Sequence, residues 1–368
     1  MVAPWPSPGN TRSVSPRRQT LTALAASSLL ALTVPLQAQA ADTTYVALGD
    51  SFSAGVGTYA PTDSCYRSPY GYPVLIAQRQ GLALSYQACS GADTSDVSTK
   101  QVGALTTATG HVTMTIGGND VGFATVITEC AQPGWISNCK GAISAARTIL
   151  DEQMPGRYRT LFDTIGNRAP DADVVIGGYP RLFNGEDCNL ATFFSGSEMS
   201  SLNSATDDLD SLIRTTSTAA GFDFVDPRGA FAGHAVCDDV EWVNGLSYPV
   251  TESYHPNRAG NVGYANVFLP AVTATTARQE SSATVTEAPE TMTTPQSADP
   301  LVLARYVLVM DLDSPTNLER AKAAGINPRQ IVKITKDLRS NNSAKVVMAL
   351  ERLQRFDARY EATQQRDS

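Results

Sequence analysis

The chain has 368 residues, 42% of them hydrophobic, enough for one enzyme-sized domain with extras and a sizeable core. Its net charge of −8 is uneven: residues 301–368 carry +4 and residues 1–40 carry +3, which leaves −15 on residues 41–300. A strongly acidic body without a basic stripe argues against a nucleic-acid partner.

The first element is a leader. In "SPRRQTLTALAASSLLALTVPLQAQA", Arg17 and Arg18 precede an apolar stretch that ends in Ala38-Gln39-Ala40. This is the pattern of a secretory signal, and cleavage is expected after Ala40. The arginine pair also fits a twin-arginine route, although Thr20 stands where that signal usually has Phe. The apolar stretch is short for a membrane anchor, and no later segment is suited to span a bilayer.

From Thr43 onward, short β-branched runs alternate with longer helical ones. The expected strands are "TTYVAL", "LALSYQA", "HVTMTI", "ADVVIGG" and "FDFVD". The expected helices are "GYPVLIAQRQ", "ISAARTILDEQM" with "RYRTLFDTIG", and "SEMSSLNSATDDLDSLIRTTSTAAG". Such alternation predicts a parallel sheet with helices on both faces. In such sheets the working residues follow the carboxyl ends of the strands.

After the last of these the texture changes. "QESSATVTEAPETMTTPQSADP" is rich in Ser, Thr, Pro and Glu and reads as a disordered linker. Apolar periodicity then resumes, with helix starts at Ser314-Pro315 and Asn327-Pro328 and a stop at Gly325. This predicts a small, cysteine-free, mostly helical appendage. The linker composition predicts few contacts between it and the rest, although their opposite net charges favour weak docking.

Six cysteines, Cys65, Cys89, Cys130, Cys139, Cys188 and Cys237, follow the leader. An even count in an exported chain predicts three disulfides, with the pairing left open by the residues alone. "HAVC", His234 to Cys237, lacks the second ligand pair that a zinc site needs, so no metal is expected. No cofactor is expected either.

Polar signatures follow three strands: Gly49-Asp50-Ser51, then Gly91 in "ACSGADTSD", then Asn119 in "IGGNDVGF". A fourth comes late, "TESYHPNRAG", with His255 before an expected helix. Taken singly, Ser51 also fits a helix N-cap, Gly91 a turn, and Asn119-Asp120 a turn or cap. Of the three histidines, His111 opens an alternating strand and His234 sits in a loop, so His255 is the candidate base. Together the four signatures supply a nucleophile, a base and donors for an oxyanion, the inventory of acyl transfer.

Gly49-Asp50-Ser51-Phe52-Ser53 lacks the final Gly of G-x-S-x-G, so the nucleophile elbow is not the match. The blocks "GDSFSAG", "CSGAD", "GGND" and "YHPN" resemble, in order, those of the SGNH or GDSL hydrolase family. The likeness runs from about Thr43 to Ala277 and points toward secreted actinomycete lipases and esterases. It implies an α/β, three-layer, flavodoxin-like fold with a parallel central sheet, plus the helical appendage. It divides the chain into a signal (1–40), a hydrolase domain (41–277), a linker (278–300) and the appendage (301–368).

The resemblance implies Ser51 as nucleophile and His255 as base, with an oxyanion hole from the backbone N–H groups of Ser51 and Gly91 and the amide of Asn119. It implies the pairs Cys65–Cys89, Cys130–Cys139 and Cys188–Cys237. Many members carry Asp three residues before the histidine, and here that residue is Glu252. The group orienting His255 is therefore either the Glu252 carboxylate or a backbone carbonyl, that of Ser253 or of Glu252 itself. The expected activity is secreted carboxylic-ester hydrolysis by a monomer that acts on lipid or small acyl esters without stable membrane insertion. The alternatives are a carbohydrate acetylesterase on the same fold and a non-catalytic surface-binding protein.

Overall fold

The structure is a computed structural model, and it describes residues 44–272 and 299–367. The expected signal and most of the expected linker lie outside the described residues. Five strands, β1 (Thr44–Gly49), β2 (Ala83–Tyr86), β3 (Thr109–Thr115), β4 (Asp173–Gly177) and β5 (Asp223–Val225), form one sheet. All pair in parallel, in the order β2-β1-β3-β4-β5. Tyr45, Val46, Ala47 and Leu48 of β1 are fully buried, as an inner strand covered on both faces requires. This is the flavodoxin-like α/β arrangement, and the five strands coincide with the five β-branched runs.

The helices of the body are α1 (Ser51–Ala54), α2 (Tyr72–Gln80), α3 (Thr94–Asp96), α4 (Phe123–Cys130), α5 (Cys139–Glu152), α6 (Met154–Arg168), α7 (Gly196–Ala219) and α8 (Arg258–Val272). Successive residues at the end of β4 reveal the layers. A side chain on Gly177 would strike Phe268 of α8, and one on Gly178 would strike Asp210 of α7. Neighbouring strand residues face opposite ways, so α8 and α7 cover opposite faces. The chain leaves β1 toward β2 at one edge and returns to β3 on the other side. That makes the carboxyl ends of β1 and β3 the switch point where a site forms.

Three disulfides join Cys65 to Cys89, Cys130 to Cys139 and Cys188 to Cys237. The first ties the loop after β2 to the loop after α1. There Ser90 N also donates to the Cys65 carbonyl at 2.9 Å.

Four helices follow: α9 (Pro300–Leu308), α10 (Pro315–Ala323), α11 (Pro328–Leu338) and α12 (Ser343–Asp367). Asp299 caps α9 by accepting from Leu301 N at 2.9 Å, so this helix starts inside the stretch assigned to the linker. The expectation of few contacts fails. Leu303, Val307, Ile331, Ile334, Leu350 and Leu353 share one apolar core with Trp135, Ile136, Ala191 and Phe193 of the body. Hydrogen bonds add to it: Arg320 to the Ile136 carbonyl at 3.0 Å, Gln354 to the Thr192 carbonyl at 2.6 Å, and Gly134 N to Asp357 at 2.7 Å. The linker's composition describes only the linker. The helices beyond it carry more apolar surface than their own core uses, and burying the excess drives docking.

Candidate active site

β1 ends in Gly49, whose φ of +118° and close approach to the Thr115 carbonyl leave no room for a side chain. The chain then turns into α1. Asp50 caps this short helix by accepting from Phe52 N at 3.0 Å. The capping role therefore falls to Asp50, and the Ser51 hydroxyl is not used for it. Ser51 Oγ lies 2.7 Å from His255 Nε2 across 204 residues of sequence.

His255 is held from behind. Its Nδ1 lies 2.8 Å from the Ser253 carbonyl oxygen. Two backbone bonds fix its loop: Asn244 N donates to the His255 carbonyl at 3.0 Å, and Tyr254 N to the Asn244 carbonyl at 2.9 Å. The Phe52 ring lies 5.3 Å from the imidazole. Burial pushes the His255 pKa down to about 4, with the Ser253 hydrogen bond opposing it. The ring is therefore neutral near pH 7, with Nδ1–H toward Ser253 and a lone pair toward Ser51.

Glu252 sits elsewhere. It is 2% exposed, and its Oε2 accepts from Gly57 N at 2.6 Å and Tyr59 N at 3.3 Å. Gly57 packs against the backbone of His255 and Pro256 so closely that a Cβ would lie 2.4 Å from the Pro256 carbonyl. The Glu252 carboxylate thus pins a loop against the histidine segment. Of the acceptors considered for Nδ1, the structure places the Ser253 carbonyl there.

Gly91 and Asn119 line the same cleft as Ser51 and His255. Asn119 Nδ2 donates one hydrogen to the Ala92 carbonyl at 2.9 Å, which ties the loop after β3 to the loop after β2. An amide nitrogen has a second hydrogen to give. The cleft has a volume of about 690 Å³. Phe123, Ile127, Leu246 and Val250 make much of its wall apolar.

Several supporting residues escaped the sequence reading. Asp50 is buried; it accepts from Thr115 Oγ1 at 2.8 Å and from the Tyr179 hydroxyl. Burial raises its pKa to about 6, against the pull of these donors. Tyr179 also accepts from Gly118 N at 3.2 Å, so it links the loops after β1 and β3. Asp120 accepts from Thr94 N at 3.0 Å, from Thr94 Oγ1 at 2.6 Å and from Arg157 at 3.0 Å. Asp50 and Asp120 adjoin the motif residues and could have been suspected; nothing in the sequence marks Tyr179.

The other histidines stand apart. His111 lies 3.3 Å from Asp173 at the start of the sheet, and His234 stacks on Trp242 with centroids 4.0 Å apart. Among the described residues, Cys188, Cys237 and Glu241 form a candidate metal-ligand group, but the two sulfurs are bonded to each other.

A serine and an imidazole are thus in contact at the switch point of this sheet. Residues 47–262 match the GDSL-like Lipase/Acylhydrolase family. The chain belongs to that family. It is a serine ester hydrolase. It is 39% identical to a lipase of Streptomyces rimosus over 231 residues, 61% of this chain and 85% of that one. It is 37% identical to Lipase 1 of Streptomyces coelicolor over 253 residues, 66% of this chain and 93% of that one. Among solved structures, it resembles phospholipase A1 from Streptomyces albidoflavus NA297, with a TM-score of 0.59 and 36% identity. That likeness covers 63% of this chain and 99% of the other. The family match ends at residue 262, before α9 begins.

Proposed function

We propose that this GDSL hydrolase is a secreted, monomeric lipase or esterase that cleaves carboxylic esters through an acyl-enzyme on Ser51. The contact of Ser51 Oγ with His255 Nε2 at 2.7 Å carries the reading. Ser51 Oγ attacks the ester carbonyl carbon while its proton passes to Nε2. The carbonyl oxygen becomes an oxyanion held by the N–H groups of Ser51 and Gly91 and the amide of Asn119. The C–O bond to the alcohol then breaks, and His255 returns the proton to the departing oxygen. Water repeats the sequence, releases the acid and restores Ser51.

The Ser253 carbonyl holds the imidazole in the productive tautomer, so a serine–histidine pair oriented by backbone suffices. The apolar wall of the cleft supports an acyl chain as occupant over a carbohydrate ring. Three disulfides fit an oxidising compartment and support secretion. Among the described residues no helix is long and apolar enough to cross a membrane.

Ser51→Ala tests the reading. It should lower kcat by several orders of magnitude and leave the circular dichroism spectrum unchanged, with roughly 10³-fold over water surviving from the remaining groups. Near-wild-type turnover would end the assignment.

A further inference from the structure

The geometry points to the C-terminal helices as part of the substrate site: Tyr306, Val309 and Met310 form the outer wall of the acyl-binding cleft and set the acyl-chain length it accepts. These three residues line the cavity that holds Ser51 and His255, together with Phe123, Ile127 and Val250. They come from the last turn of α9 and the residues just after it. That segment lies beyond the family match, which ends at residue 262.

Helical spacing explains how one short element serves two surfaces. Leu303, Ala304 and Val307 are buried in the core of the appendage. Tyr306 and Met310, four residues apart, pack against the edge of that core and also line the cleft, and Val309 lines the cleft without joining the core. Val309 is 82% exposed, a large apolar side chain at the rim with no core role. Its place is explained if an acyl chain covers it.

The wall is fixed in position. The Tyr306 hydroxyl donates to the Ser247 carbonyl at 3.0 Å. Ser247 N in turn donates to Ser253 Oγ at 2.8 Å, and Ser253 is the residue whose carbonyl faces His255. The appendage is thus keyed to the loop that carries the base. The cleft volume of about 690 Å³ is that of a site for a drug-sized or lipid-like molecule. A short acyl group beside Ser51 leaves the far wall untouched, and a long one reaches it.

This inference rests on the ester-hydrolase reading, and the experiment separates the two. Full-length Met310→Trp and Val309→Asp would be compared with the unaltered chain on p-nitrophenyl acetate and p-nitrophenyl laurate. A fluorophosphonate would count intact sites in each sample. The laurate-to-acetate ratio of kcat/KM per intact site should fall by about tenfold or more in both variants, the scale of steric discrimination in an apolar pocket. An unchanged ratio in either variant, with its sites intact, would overturn the proposal. Should Met310→Trp fail to fold, Val309→Asp decides alone, because its position is exposed. Absence of acetate hydrolysis and of labelling in the unaltered chain would instead refute the underlying reading.

Discussion

His255 Nδ1 faces the main-chain oxygen of Ser253 at 2.8 Å, while the carboxylate of Glu252, three residues before the histidine, turns away to the backbone of Gly57. A neutral carbonyl sets the tautomer and direction of the imidazole as a carboxylate would, through a weaker hydrogen bond. It adds no negative charge, so it does little to oppose the drop in imidazole pKa that burial causes.

The pH profile follows from that. In the proposed mechanism His255 must be neutral to accept the Ser51 proton, and burial lowers its pKa to about 4. The acid limb of kcat/KM should therefore have its midpoint below about pH 5, well under the ordinary imidazole value. A midpoint at or above pH 6 would contradict this, since Asp50, raised by burial to about 6, or an unperturbed imidazole titrates there.

Glu252→Ala should damage stability more than chemistry. It strips the acceptor from Gly57 N and Tyr59 N, and an unpaired buried donor costs about 1–3 kcal/mol. Urea titration should show a loss of that order, while kcat changes by less than about tenfold, or 1.4 kcal/mol of barrier. A fall near 10⁴-fold in kcat, the scale of a neutralised triad acid, would make Glu252 the orienting group after all.

Asn119→Ala should lower kcat by about 10²–10³ with little change in KM, because its amide would serve the oxyanion and not the ground state. The variant also loses the bond to the Ala92 carbonyl, so its melting temperature should be recorded beside its kinetics. A rise in KM alone would assign Asn119 to substrate binding.

The four motif blocks were legible because each is short and sits where a strand ends. The strands themselves announced a parallel sheet through their alternation with helices. What stayed hidden depends on contacts between distant parts of the chain. Glu252 meets Gly57 across 195 residues, and Tyr179 meets Asp50 across 129. No local pattern encodes either. Helix α4 is poorly marked in the sequence, because its brief apolar run follows directly on the "GGND" turn. The appendage was recognisable as helical, but an apolar helix face does not name its partner, so its docking on Trp135 and Phe193 came only from the fold.

Asp357 gives that docking a pH dependence. Burial raises its pKa to about 7; the hydrogen bond from Gly134 N opposes the rise, and Glu361, Glu198 and Asp187 add to it. A carboxyl whose folded value exceeds its unfolded value of about 3.9 stabilises most below that unfolded value. The contribution is lost as pH rises through about 7. Asp357→Asn keeps an acceptor for Gly134 N without the charge. Its melting temperature should exceed that of the unaltered chain by a few degrees at pH 8, on the order expected for 1–2 kcal/mol, with the gain vanishing toward pH 4. A gain that does not depend on pH, or a loss at pH 8, would contradict the argument.

The pairing of Ser51 with His255 is tested most directly by fluorophosphonate labelling followed by peptide mapping, in the unaltered chain and in His255→Ala. An imidazole in contact with the hydroxyl predicts one adduct per chain, on Ser51, formed quickly in the unaltered protein and slower by orders of magnitude without His255. An adduct on another residue, equal labelling rates in the two proteins, or ester hydrolysis that persists after Ser51 is fully modified would contradict the account.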